Sequence, residues 1–171
     1  MNRSLLTLAL IGLPLVGGCP RSGGTEKSAE PPPSWSSEKG RQDAKVELVR
    51  VLVEGNNPEA ALTLVHQLQT DGYESDDIDV LKGMALRKMG LTDDAREVLQ
   101  DLAERRPRDA EAHNQLGILL MDGHDLDGSI VHFEQARKAA PLNAEYANNL
   151  GFAYMSARRY DDAVDVLREA L

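Results

Sequence analysis

The fold is decided by residues 144–171, AEYANNLGFAYMSARRYDDAVDVLREAL. Small and apolar residues fall at Ala144, Ala147, Leu150, Gly151 and Tyr154, and again at Ala163, Leu167 and Ala170. This is helical spacing in two runs, parted by residues 156–159 with Tyr160 and Asp161 at the join. Two antiparallel helices joined by a short turn satisfy the pattern.

The pattern recurs upstream. Thirty-four residues before Gly151 stands Gly117, preceded by Leu116 as Gly151 is by Leu150, and a further thirty-four back stands Gly83. Pro107 and Pro141 are separated by the same interval, and so are Ala61, Ala95, Ser129 and Ala163. A fixed period of about 34 residues marks a stack of helix pairs, each too small to bury its apolar face alone. The phase holds over 42–75, 76–109, 110–143 and 144–171, the last unit stopping short of its proline position.

These residues resemble the tetratricopeptide repeat (TPR), which sets Leu-Gly at repeat positions 7 and 8, Tyr at 11, Ala at 20 and 27, and Pro at 32. The resemblance implies an all-α chain, an α-solenoid of four stacked helix pairs with the last one truncated. Ala147 departs from the large residue expected at position 4. The first repeat fits least well, with Val49 and Leu68 where the family has small residues. Glycine or another small residue at positions 8 and 20 lets paired helices approach to about 8–10 Å. The expected close contacts are therefore Gly83 with Ala95, Gly117 with Ser129, and Gly151 with Ala163. Helix starts are signalled by Asn57-Pro58-Glu59, Ser75, Asp93-Asp94, Asp109 and Asn143.

Composition agrees with stacked helices. Only 4% of residues are aromatic, so a core must come from Leu, Val and Ala. The net charge of −9 repels phosphate backbones and makes nucleic acid an unsuitable partner. The single cysteine excludes an internal disulfide.

Residues 1–18 read as a signal peptide: Arg3 is a short basic start, and Leu5 to Val16 is apolar but too short to cross a bilayer as a helix. Val16-Gly17-Gly18-Cys19 resembles the bacterial lipobox, which implies cleavage before Cys19 and lipidation of its thiol. An ordinary secretory signal with an incidental cysteine is the alternative. The resemblance implies a bacterial envelope protein, lipid-anchored in the outer membrane and facing the periplasm, with Pro20 rather than an inner-membrane retention Asp after the cysteine. Residues 19–41 are rich in Pro, Gly, Ser and charge, and read as a disordered tether before a repeat domain over 42–171. Trp35 lies in that tether, an exposed linker residue or a docking anchor.

No catalytic residues are identified. His66, His113, His124 and His132 have no metal-ligand spacing, and no phosphate-binding or nucleophile motif occurs. Asp93-Asp94 and Asp161-Asp162 are explained by helix N-termini. No cofactor, metal or small-molecule substrate is expected. In TPR proteins the first helix of each repeat lines a concave groove. The resemblance places Val46, Arg50, Val53, Val80, Met84, Arg87, Asn114, Ile118, Met121, Asn148, Phe152 and Met155 there. Asp43, Asp77, Glu111 and Glu145 at position 2 argue against a basic clamp for a C-terminal carboxylate and suit an apolar or basic segment. An unliganded solenoid face is the alternative. Lipobox, tether and TPR array together resemble the lipoproteins that assist assembly of type IV or Flp pili. An adaptor of an envelope enzyme, such as a peptidoglycan enzyme or protease, is the rival.

Overall fold

The structure, a computed structural model, describes residues 37–169. It contains α1 (Glu38–Glu54), α2 (Pro58–Thr70), α3 (Asp76–Lys88), α4 (Thr92–Arg105), α5 (Ala110–Asp122), α6 (Leu126–Ala139), α7 (Ala144–Ser156) and α8 (Tyr160–Glu169). The described residues are all-α, four antiparallel pairs in the expected phase. Cys19, Trp35, Ala170 and Leu171 lie outside the described residues. One boundary differs: α1 begins at Glu38, so residues 38–41 are helix and not tether. Ser37 supplies the cap, its hydroxyl accepting from the Gly40 amide at 3.0 Å.

Side-chain caps set most of the starts. Asn57 accepts from Ala60, Ser75 from Ile78, Asp109 from Ala112 and Asn143 from Glu145. Each satisfies an amide that the first helical turn leaves without a carbonyl partner. Asp125 does the same for α6, accepting from the Gly128 amide at 3.0 Å. The turn inside each pair also repeats. Asn56, Gly90, His124 and Arg158, at position 15, all take positive φ, between 58° and 76°.

The helices of each pair close on the position-8 residue. A Cβ added to Gly83 would lie 2.6 Å from Leu99, one on Gly117 2.7 Å from Phe133, and one on Gly151 2.8 Å from Leu167. The nearest neighbour of each glycine is therefore the large position-24 residue of the second helix, not Ala95, Ser129 or Ala163. Those three are buried in the same pairs. The first repeat divides its volume otherwise, with Val49 and Val65 in the two places and both buried in one core cluster with Leu68. Pro107 and Pro141 are exposed in the connections between pairs.

Each helix packs on the next in the chain. The first helices also touch across repeats, α1 with α3, α3 with α5 and α5 with α7, whereas second helices have no such contact with one another. The first-helix side is therefore the inside of the curve.

Candidate protein-binding face

Helical spacing brings positions 5, 9 and 12 of α1, α3, α5 and α7 to that inner side, but the cross-repeat contact buries part of it. Val46, Val53, Val80 and Asn114 are corrected from groove to core. Val46 and Val53 pack in the cluster of the first repeat, and Val80 packs with Leu102 and Ala112. Asn114 is fully buried; its Oδ1 accepts from Asn149 Nδ2 at 2.8 Å, tying α5 to α7. Position 5 of the first three repeats is covered by the packing of neighbouring helices, and so is Val53 at position 12 of the first.

Positions 9 and 12 differ along the stack. Arg50 is half-buried and lies 3.6 Å from Glu47. Arg87 is half-buried, with Nη1 donating to Asp122 of the next repeat at 3.0 Å. Met84, Ile118 and Met121 are half-buried. Phe152 and Met155 are 56% and 44% exposed, and Asn148 beside them is exposed. The last two repeats thus carry apolar residues at these positions, Ile118 and Met121 partly buried and Phe152 and Met155 exposed, and the first two present arginines.

Two of the position-2 acids hold neighbouring side chains. Glu111 accepts from the Tyr146 hydroxyl at 2.8 Å and from Gln115 Nε2 at 2.7 Å. Burial and the adjacent Glu111 carboxylate push the Tyr146 phenol well above its usual range. Asp43 accepts from the Tyr73 hydroxyl at 3.1 Å. The two tyrosine bonds join residues roughly one repeat apart, a separation that leaves no local sequence signal, whereas Gln115 and Glu111 are one turn apart on α5. Asp77 and Glu145 are exposed.

The structure also brings together two histidines that sequence spacing keeps apart. His113 Nδ1 of α5 lies 3.1 Å from His132 Nδ1 of α6, and His113 Nε2 lies 3.2 Å from the Pro107 carbonyl. One neutral arrangement satisfies both contacts: His113 donates from Nε2 to Pro107, and His132 donates from Nδ1 to His113 Nδ1. Burial, and then the neighbouring His113, lower the His132 pKa from its usual value, against an opposing pull from Asp125. Among the described residues no group of three or more His, Cys, Asp or Glu side chains is placed to hold a metal ion. No helix among them is long and apolar enough to cross a membrane.

Helix pairs in one 34-residue phase, glycine under a large side chain, and an inner side made only of first helices define a tetratricopeptide-repeat solenoid. Residues 47–166 match the family described as "Psidin, N-terminal TPR repeats region", and the chain belongs to that family of TPR proteins. Among solved structures, one titled "Crystal structure of MamA" is 17% identical with a TM-score of 0.63, the match covering 80% of each chain. Another, "Crystal structure of YrrB: a TPR protein with an unusual peptide-binding site", is 23% identical with a TM-score of 0.59, over 80% of this chain and 70% of that one. At these identities the likeness shows the fold. No curated protein matches the sequence significantly.

Proposed function

We propose that the protein is a binding scaffold that holds an apolar peptide or helix of a partner protein on its inner face, over the third and fourth repeats. The observation that carries this is the exposed Phe152 and Met155 beside Ile118 and Met121. Methionine and phenylalanine in the open form an adaptable apolar surface. Asn148 at its edge can donate to and accept from a peptide backbone. That YrrB is titled as having a peptide-binding site supports a ligand on this fold.

The test compares partner capture from envelope extracts by Phe152→Ala and by Val131→Ala, a control equally open at 54% exposure but on a second helix. Phe152→Ala lowers capture about tenfold or more and changes stability by roughly 0.5 kcal/mol or less. Equal capture by the two variants would sink the proposal.

The lipobox-like run before Cys19 supports attachment of this scaffold to the bacterial envelope by lipid, and with it a part in pilus or secretion-channel assembly. Cys19→Ser then moves the protein from the membrane fraction to the soluble fraction; retention in the membrane without detergent would overturn the anchor. The inner-face strip equally suits an adaptor that recruits an envelope enzyme, and the identity of the captured protein decides between the two.

A further inference from the structure

The contact between His113 and His132 brings together two groups that bind metal ions. His113 lies in the first turn of α5 and His132 in the middle of α6, within the third repeat. Their Nδ1 atoms are 3.1 Å apart. The ring centroids are 5.4 Å apart and the planes 27° from parallel, so the rings meet edge to edge through these two nitrogens. The far nitrogen of His113, Nε2, faces the Pro107 carbonyl at 3.2 Å. A carbonyl only accepts, so Nε2 carries the His113 proton and Nδ1 keeps a bare lone pair. A bond of this kind on the far nitrogen is what orients a metal-bound imidazole. His132 is half-buried, and its proton can sit on Nε2 in place of Nδ1. Two lone pairs then converge on one gap.

We propose that His113 and His132 bind a divalent transition-metal ion between their Nδ1 atoms, with zinc the best fit. Imidazole is a favoured ligand of such ions. Two Zn–N bonds of about 2.0–2.1 Å at a tetrahedral angle hold their nitrogens roughly 3.3 Å apart, close to the spacing already present. The rings need only turn toward an ion beside the line that joins them. The neutral pair loses no net proton, because the bridging proton moves from Nδ1 to Nε2 of His132. Two protein ligands leave the other positions to water, which the partly exposed His132 admits. The ion clips α5 to α6, and binding that favours the folded chain stabilises it. Neither histidine belongs to the inner-face residues, and the proposal stands without a ligand there.

Zinc chloride titrated into the full chain carrying Cys19→Ser, which removes the thiol as a competing ligand, tests this by calorimetry and thermal melting. One ion binds per chain, and Tm rises with zinc concentration. His132→Leu and His113→Gln each weaken binding about tenfold or more. The double variant His66→Gln, His124→Gln, at two exposed histidines, binds as before. Nitrogen-15 spectra of the zinc form read the rings directly, with both Nδ1 atoms on the metal and both Nε2 atoms protonated, and this readout needs neither ring substituted. A chain that takes up no zinc overturns the proposal. So does binding that survives both His132→Leu and His113→Gln, binding that is lost in the double variant, or zinc that sits on other nitrogens.

Discussion

The first and third repeats reach the same helix pair with opposite distributions of volume. In the third, Gly117 leaves room for Phe133; in the first, Val49 meets Val65, and both pairs are fully buried. The pair thus closes with more than one division of volume between its helices, and a repeat without the family glycine still closes. The two repeats also differ at position 15, Asn56 against His124, and at positions 4 and 23, Lys45 and Leu64 against His113 and His132. Lys45 reaches Asp71 at 3.1 Å, and Leu64 packs on the apolar cluster.

Converting one repeat into the other tests whether the summed volume of the two side chains is what matters. Gly117→Val places a Cβ 2.7 Å from the Phe133 ring and costs roughly 1–3 kcal/mol by overpacking. Phe133→Val alone opens a cavity and is destabilising as well. The double variant Gly117→Val, Phe133→Val, which copies the first repeat, loses less than the two single losses added together. Urea unfolding of the three variants measures this, and simple additivity would show that the glycine is required for another reason.

A smaller effect is expected at the turn. His124 holds φ at 64°, a left-handed conformation that crowds any Cβ against the backbone and leaves glycine uncrowded. His124→Gly therefore stabilises by about 0.5–1 kcal/mol, while Asn56→Gly in the first repeat gains less, since asparagine tolerates that region. Equal gains in thermal melts would remove the distinction.

The smallest difference is in pH response. The folded His132 has a pKa below its unfolded value of about 6.5, so below that pH the unfolded chain takes up protons more readily than the folded one. The contribution of His132 is complete above about pH 6.5 and is lost as pH falls toward its folded pKa. His132→Leu, which copies the first repeat, flattens the fall of Tm between about pH 7 and pH 5. A slope unchanged by the substitution would mean that other groups carry the acid sensitivity.

Most of the architecture was legible because it is written in short-range punctuation: Gly83, Gly117 and Gly151 fix the phase, Pro107 and Pro141 mark the connections, and capping residues mark the starts. The first helix was read four residues short because residues 38–41 follow a polar, Pro-rich stretch and belong to no family position. The inner face was less legible. Helical spacing identifies which residues face inward, but not which of those the neighbouring first helix covers, and so Val46, Val53, Val80 and Asn114 were misplaced. The His113–His132 contact and the Tyr146–Glu111 bond join different helices, and neither leaves a periodic trace. The left-handed turn position was hidden because Asn56, His124 and Arg158 occupy it in three repeats and glycine, Gly90, in only one.

The contact pattern has a consequence for the order in which the chain assembles. Among the described residues every helix touches only helices one or two places away, so no contact between these helices waits for α1 and α8 to meet. The entropy of closing long loops is avoided, so rapid folding that can begin in any adjoining pair is expected. Growth from such a nucleus is a zipper: each added helix pair is ordered by the one already formed. The α5–α6 pair, with neighbours on both sides and Phe133 at its centre, is the natural starting place. Among the described residues α1 and α8 are each supported from one side only, and they are expected to close last and open first.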